Sequence, residues 1–158
     1  MKRKPIAVLL AVLLLSVLVV LGAAVGGGAA PSAGTVVKVA FSKTLKKSIV
    51  VDGKGWTVYM FTADTAGTPT CTAALLPSCP KVWPPLTSQG APLAGKGIIP
   101  SKLGTVKRTD GRTQVTYNRH PLYYFRGPGA DKKPGDARGQ NFAHLWYVLS
   151  PKGTPIRK

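Results

Sequence analysis

The sequence predicts an all-β fold: two pseudo-symmetric antiparallel β repeats packed as one compact domain, behind an N-terminal signal or anchor helix. The first observation is a duplicated aromatic signature, in which Tyr59-Met60-Phe61 precedes Trp83 and Tyr123-Tyr124-Phe125 precedes Trp146. The tyrosines are 64 residues apart and the tryptophans 63, so a unit of about sixty residues occurs twice. The second observation is that no window after residue 34 carries a helical apolar period, whereas short β-branched runs alternate with turn residues.

Residues 1–33 have the features of an export segment. Lys2, Arg3 and Lys4 precede an apolar run at residues 6–25, and small residues follow it. A run of twenty apolar residues is enough to span a bilayer, so the segment is either a cleaved signal peptide or an uncleaved membrane anchor. In both cases we expect residues 34–158 to be extracytoplasmic, secreted or held at the membrane.

The first repeat is predicted at about residues 35–87. β-branched runs at residues 35–41 and 48–51 predict strands, and the Gly-rich turn at 52–55 predicts a hairpin with residues 56–62. An apolar strand predicted at residues 81–86, which contains Trp83, closes the repeat. We expect Trp83, and Trp146 at the equivalent place in the second repeat, to be structural aromatic residues.

Cys71 and Cys79 are the two cysteines of the chain, and we expect them to form a disulfide after export into an oxidising compartment. Redox-active pairs are usually separated by two residues, whereas these lie in a longer loop that contains proline. The sequence therefore predicts a structural bridge, worth about 2–3 kcal/mol for so small a ring.

A Gly- and Pro-containing connector at residues 88–101 leads to the second repeat, at about residues 102–153. That repeat has predicted strands at 104–108 and 113–117 around the Asp110-Gly111 turn, then at 121–125 and 144–149. A sixty-residue half would bury only about 60% of its surface, so we expect the halves to depend on each other.

Linked motifs carry a family resemblance. They are Y-x-F-x-x-D at residues 59–64, the cysteine loop, V-W-P-P-L at 82–86, G-T-V-K-R at 104–108, H-P-L-Y-Y-F at 120–125, P-G-D at 134–136 and W-Y-V-L-S-P at 146–151. From about residue 38 to 153 the chain resembles a bacterial family of secreted repeats described as predicted lipoproteins with a Y-x-(F/W/Y)-x-x-D motif. The resemblance implies an exported repeat protein and no established reaction.

The chain departs from that family pattern in two ways. Asp131 comes three residues later in the second copy than the motif places it. No cysteine lies near the apolar N-terminal run, so the lipoprotein label does not transfer.

Strand periodicity assigns roles within the motif. Tyr59 and Phe61 point to one face of their strand and pack in the core, and Asp64 emerges where the strand ends. We expect Asp64 to accept hydrogen bonds from the following turn, near residues 66–67. The other interpretation is that the motif contacts a ligand, and its candidate residues are Tyr59, Phe61, Asp64, Tyr123, Phe125, Asp131 and Asp136.

The exported part is strongly basic. Removing Lys2, Arg3 and Lys4 from the 22 lysines and arginines leaves 19, against five aspartates and no glutamate, so the net charge is near +14. Such a charge attracts polyanions. The basic residues are scattered, for example Lys43, Lys107, Arg108, Arg119, Lys133, Arg138 and Lys152, so they either form a solvated surface or bind a polyanion.

Recognisable catalytic patterns are missing from the sequence. There is no G-x-S-x-G elbow, P-loop or dinucleotide-binding pattern, and His120 and His144 have no partner at a metal-ligand spacing. We therefore predict neither an enzyme nor a metal or other cofactor.

The sequence favours a non-catalytic cell-envelope protein whose basic surface associates with anionic envelope polymers or a membrane surface, without specific nucleic-acid binding. The alternative is a small-ligand or metal-binding domain with a site between the repeats, formed by Asp64, Asp131, His120 or exposed tyrosines. An enzyme that uses aspartates alone is the third and weakest hypothesis.

Overall fold

The computed structural model describes residues 34–65 and 67–157, which are mostly strands and turns. The strands are β1 (Val36–Ser42), β2 (Lys47–Asp52), β3 (Tyr59–Phe61), β4 (Leu93–Ala94), β5 (Leu103–Lys107), β6 (Thr113–Tyr117), β7 (His120–Pro121) and β8 (Trp146–Val148). The helical elements are a single turn, α1 (Cys79–Val82), and a 3₁₀ turn at Pro100–Lys102. The predicted all-β fold is confirmed, and the predicted N-terminal helix lies outside the described residues.

Each repeat begins with an antiparallel hairpin. β1 pairs with β2 from Val37 opposite Asp52 to Ser42 opposite Lys47, and β5 pairs with β6 from Leu103 opposite Tyr117 to Lys107 opposite Thr113. β-Branched residues fill these strands, and the turns between them contain residues that tolerate tight backbone conformations, such as Gly111 at φ 80°. The two hairpins are the expected equivalents in the duplicated unit.

The centre of the molecule is formed by segments that the repeats exchange. β3 pairs antiparallel with β8, so the tyrosine strand of the first repeat lies beside the tryptophan strand of the second. In return, the Tyr124 N–H donates to the Pro84 carbonyl (N···O 2.9 Å), beside Trp83 of the first repeat. Between the two pairs, Tyr59 and Tyr123 exchange backbone hydrogen bonds of 2.8 and 2.9 Å. A pseudo-twofold axis therefore passes between the two tyrosines.

Side chains from both faces of this central layer are buried. Tyr59 and Phe61 lie in one core cluster with Trp83 and Trp146, while Met60 lies in a second cluster whose other members include Val37, Val50, Val115, Tyr117, Leu122 and Leu149. The predicted alternation along β3 is present, but neither of its faces is exposed.

Three local predictions differ from the structure. Residues 56–62 do not form a full hairpin with β2, because pairing is limited to a bridge between Val51 and Thr57 before the chain turns toward the centre. Cys79–Val82 is a helical turn rather than part of a strand, with Pro80 in its first turn, where a missing N–H costs nothing. The connector contains β4, which pairs parallel to β1 and covers its free edge.

Candidate functional site

The two copies of the motif are joined by hydrogen bonds between the repeats. The Tyr123 hydroxyl of the second repeat donates to Oδ2 of Asp64 in the first (2.9 Å). The Tyr59 hydroxyl of the first repeat donates to both carboxylate oxygens of Asp131 in the second, at 3.0 and 2.8 Å. Each motif tyrosine is thus paired with the aspartate of the other repeat. This relationship cannot be seen within one copy of the motif.

Each motif aspartate also organises its own loop. Asp64 Oδ1 accepts hydrogen bonds from the Thr70 N–H (2.7 Å) and hydroxyl (2.9 Å), and Asp131 Oδ1 accepts one from the Arg138 N–H (2.8 Å). The contact of Asp64 therefore lies a few residues beyond the predicted position at residues 66–67, of which Ala66 is outside the described residues. The late position of Asp131 is accommodated by a turn in which the Ala130 N–H donates to the Gly127 carbonyl (3.0 Å).

Burial dominates the electrostatics of these pairs. Desolvation raises the pKa of the Asp64 and Asp131 carboxyls above their ordinary range, and hydrogen bonds from Thr70 and Arg138 oppose it. Desolvation and the facing carboxylate also raise the pKa of both Tyr59 and Tyr123 well above the ordinary value. Both phenols therefore stay protonated as donors at neutral pH, and neither is available as a general base.

Four rings, one Phe and one Trp from each repeat, form a stack across the pseudo-twofold axis, and Tyr59 and Tyr123 meet the two tryptophans edge-on. Trp83 and Trp146 are parallel, with centroids 3.8 Å apart and planes inclined by 2°. Phe61 stacks on Trp146 with centroids 4.2 Å apart, and Phe125 stacks on Trp83 at 4.5 Å. Each phenylalanine therefore packs on the tryptophan of the other repeat, just as each tyrosine donates to the aspartate of the other repeat. The packing needs a glycine at position 139, because a Cβ there would lie 2.7 Å from Trp83 Cη2.

An apolar cleft of about 350 Å³ opens at the edge of this stack. Its walls come from both repeats, with Trp83 and the disulfide loop on one side and Trp146 with the loop before it on the other. Leu76, Phe142 and Leu145 line the cleft and are exposed. No sequence pattern connects these three residues, since only the folded chain brings their two loops together.

The cysteine loop is closed as predicted. Cys71 and Cys79 form a disulfide with a Cα–Cα distance of 5.4 Å. Cys71 is fully buried in the ring cluster, so the bridge attaches the exposed Leu75 and Leu76 to the core. This position favours a structural role.

All five aspartates of the exported part accept hydrogen bonds from within the protein. The contacts of Asp64 and Asp131 are described above. Asp52 accepts from the Lys54 and Trp56 N–H groups and from the Tyr124 hydroxyl. Asp110 accepts from Arg108 and Arg112, and Asp136 accepts from the Lys132 N–H and from Arg138. Hydrogen bonds from the arginines lower the pKa of the exposed Asp110 carboxyl. The carboxylates thus serve the fold, while most basic side chains project into solvent.

Arg108 is an exception to the expected solvated basic surface. Its side chain is fully buried and donates to the Gln114 side-chain carbonyl (Nη1···Oε1 2.5 Å) and the Cys71 carbonyl (Nη2···O 2.8 Å), with Asp110 3.2 Å from Nε. It connects the second hairpin to the disulfide loop of the first repeat. A guanidinium suits this position because its several donors lie in one rigid plane.

The structure does not gather the remaining predicted site residues into one polar pocket. Tyr59, Phe61, Tyr123 and Phe125 are buried, and Asp136 lies close enough to Asp131 to raise the pKa of that carboxyl. His120 is half-buried in β7, which lowers its pKa, and His144 is exposed.

Within residues 34–65 and 67–157, no group of three or more His, Cys, Asp or Glu residues is placed to hold a metal ion. The helical elements over the same residues are single turns, and none has the length and apolar character of a bilayer span.

Comparison with known proteins supports the duplication. Residues 42–87 and 104–150 each match the model of the family Lipoprotein_15, described as a secreted repeat of unknown function. Both matched stretches contain a Tyr segment and the Trp that follows it. No curated protein and no solved structure matches the chain.

Proposed function

Because this chain belongs to the Lipoprotein_15 family, a secreted repeat of unknown function, we propose that it is an exported, non-catalytic protein of the cell envelope. Its basic surface holds it against anionic envelope polymers. In this proposal the duplicated β domain is a rigid carrier of positive charge. Residues 1–33 deliver it across the membrane, as a signal peptide or as an anchor.

The arrangement of the charges is the observation that carries this proposal. The aspartates are few and each is held by internal hydrogen bonds, so the surface offers little negative charge to offset the exposed lysines and arginines. A surface of one sign attracts polymers of the opposite sign over a distance of about 8–10 Å at physiological salt.

The chemistry of the core supports the non-catalytic part of the proposal. Each of the four motif side chains is hydrogen-bonded to another member of the set: Tyr59 to Asp131, and Tyr123 to Asp64. No nucleophile and base lie together at an open pocket among these residues. Their positions fit a structural latch between repeats.

Cosedimentation with purified cell envelopes tests the proposal. We expect the mature domain to pellet with envelopes at low salt and to be released steeply as the salt concentration rises, because each neutralised anionic group releases a counterion. The control is a domain whose lysines have been acetylated, which keeps the fold but removes most of the charge. Binding that is absent, or equal at low and high salt, would reject an electrostatic envelope association.

The apolar cleft favours a second candidate function, the binding of a small apolar ligand between the repeats. Its walls combine Trp83 and Trp146 with exposed Phe142 and Leu145, in the concave, largely apolar form that ligand sites share. A fluorescent apolar probe should bind to the wild type and be lost in Leu145→Asp, with thermal unfolding nearly unchanged for this exposed site. Equal probe binding by the two proteins would remove this candidate.

A further inference from the structure

We propose that a phosphodiester group of an envelope polymer binds in a cationic cleft between the β1–β2 turn, residues 43–46, and the loop at residues 131–138. This inference rests on the proposed function, since it assigns a place and a chemistry to the envelope association. It differs from a general attraction by the whole surface because it requires particular side chains.

Three basic side chains converge on the cleft. Lys43 lies in the β1–β2 turn, and Lys133 and Arg138 lie in the opposite loop. The cleft has a volume of about 320 Å³, and the Thr44 hydroxyl adds a neutral donor. Lys43, Lys133 and Arg138 are all exposed, so an incoming anion can reach them without a change in the fold.

Internal hydrogen bonds hold the two walls at a constant separation. The hydroxyl of the buried Ser42, at the end of β1, donates to the Gly135 carbonyl (3.0 Å). The Gly135 N–H donates to the Gly55 carbonyl (3.0 Å), and the Thr57 hydroxyl donates to the Asp136 carbonyl. The cations are therefore presented by segments about ninety residues apart that are tied together, so little backbone ordering is needed on binding.

The single carboxylate that lines the cleft, Asp136, stays ionised and is already hydrogen-bonded by its neighbours. Asp136 Oδ2 accepts hydrogen bonds from the Lys132 N–H (3.0 Å) and from Arg138 Nε (3.2 Å), and these bonds lower its pKa. Arg138 meets Asp136 through Nε, which leaves its terminal N–H groups for a second anion. Three cations against one satisfied carboxylate leave an excess of positive charge at the cleft.

The lining favours a phosphodiester on a polyol or sugar chain over a simple anion. Arginine and lysine together recognise phosphate oxygens, the arginine by its planar fork and the lysine as a point charge. Phe41 lines the same cleft and is 62% exposed, so its ring offers an apolar surface to the carbon backbone of the polymer.

A charge-matched pair of variants tests the site. Lys43→Gln/Lys133→Gln removes two charges from the cleft, and Lys96→Gln/Lys107→Gln removes two from exposed positions elsewhere. The probe is a soluble glycerol-phosphate polymer, titrated at low salt. We expect about a tenfold or greater loss of affinity for the cleft variant and a much smaller loss for the control. The slope of log affinity against log salt should also fall more for the cleft variant.

The outcomes separate the two proposals. Equal losses in both variants would overturn the cleft while leaving the envelope association intact. Failure of the wild type to bind both the polymer and whole envelopes would overturn the proposed function itself. A parallel titration with phosphatidylglycerol vesicles identifies the source: binding to vesicles without binding to the polymer would assign the surface to a membrane and reject the polymer. Phe41→Ala should weaken polymer binding while leaving affinity for inorganic phosphate unchanged.

Discussion

The hydroxyl of Tyr123 lies 2.9 Å from Asp64 Oδ2, so a tyrosine of the second repeat donates to the motif aspartate of the first. Tyr59 and Asp131 form the reciprocal pair. Each motif tyrosine therefore donates to the aspartate of the other motif copy and not to the aspartate of its own copy. In this fold the two copies of the motif are joined by these hydrogen bonds.

Removing a motif hydroxyl should destabilise the protein more than removing an ordinary tyrosine hydroxyl. Tyr123→Phe and Tyr59→Phe each remove the hydroxyl donor from Oδ2 of a largely buried carboxylate, and we expect each to cost about 1–3 kcal/mol. The control is Tyr147→Phe, whose hydroxyl donates to a main-chain carbonyl (Oη···His144 O 3.1 Å) and should cost about 1 kcal/mol. Urea unfolding measures all three. A double-mutant cycle of Tyr123→Phe with Asp64→Asn should show coupling, and additive losses would contradict the pairing.

Asp64 and Asp110 have pKa values shifted in opposite directions, so their contributions to folding stability should change with pH in opposite directions. The pKa of Asp64 is raised by burial, so its favourable contribution to folding is complete below the unfolded pKa, about 3.9, and is lost as the pH rises through the folded pKa. The pKa of Asp110 is lowered by Arg112, so its contribution is present above the unfolded pKa and lost as the pH falls through the folded pKa.

Chemical unfolding between about pH 3 and pH 7 tests this opposition. The stability of the wild type relative to Asp64→Asn should decrease as the pH rises, and relative to Asp110→Asn it should decrease as the pH falls. Parallel profiles for the two variants would show that one of the shifts has the wrong sign.

The stacked indoles should act as one unit. Trp83→Ala and Trp146→Ala each remove a buried ring, and we expect each to cost about 3–5 kcal/mol. The double variant should lose less than the summed single losses, because either change already breaks the 3.8 Å stack. Trp56→Ala is the control: that ring is half-buried and its partner is Arg126, 4.8 Å from its centroid, so the loss should be smaller. A strictly additive double variant would show that the two rings are energetically independent.

Arg108 should stabilise the fold, in contrast to the exposed basic residues of the surface. Arg108→Met removes the donors to Gln114 and Cys71, and the unsatisfied acceptors should cost about 1–3 kcal/mol. Arg112→Met removes an exposed partner of the same Asp110 and should cost less than about 1 kcal/mol. Thermal unfolding distinguishes the two. If both variants unfold like the wild type, Arg108 does not hold the disulfide loop.

The disulfide should contribute moderately to stability and strongly to the order of its loop. Cys71→Ala/Cys79→Ala should lower stability by about 2–3 kcal/mol and make residues 72–78 sensitive to protease, with the rest of the β fold retained. Limited proteolysis with mass spectrometry locates the cut. Resistance of the loop in the variant would show that packing of Leu76 in the apolar cleft is enough to hold it.

Local patterns in the sequence predict the strands well where pairing is local. The β5–β6 hairpin is an example, because the Asp110-Gly111 turn and the β-branched residues on either side place its strands directly. The segment at residues 56–62 is not paired as predicted, since its hydrogen bonds go to Tyr123 and to β8 rather than to the strand beside it in sequence. The burial of Arg108 is also not predictable from the sequence, because the pattern of charges does not show which basic residue will have buried acceptors around it.

The sequence by itself predicts an export segment, and it determines a twice-used aromatic unit, a single pair of cysteines and a strongly basic composition. These follow from composition, spacing and local backbone preference, all of which act between near neighbours in the chain. Only the tertiary structure decides that the repeats exchange the segments that carry Trp83 and Trp146, that Tyr59 is paired with Asp131, and that Lys43 and Lys133 line one cleft. Those contacts join residues separated by 40 to 90 positions, from Pro84 and Tyr124 to Lys43 and Lys133, and they exist because both copies must bury their rings at once, which neither copy achieves alone.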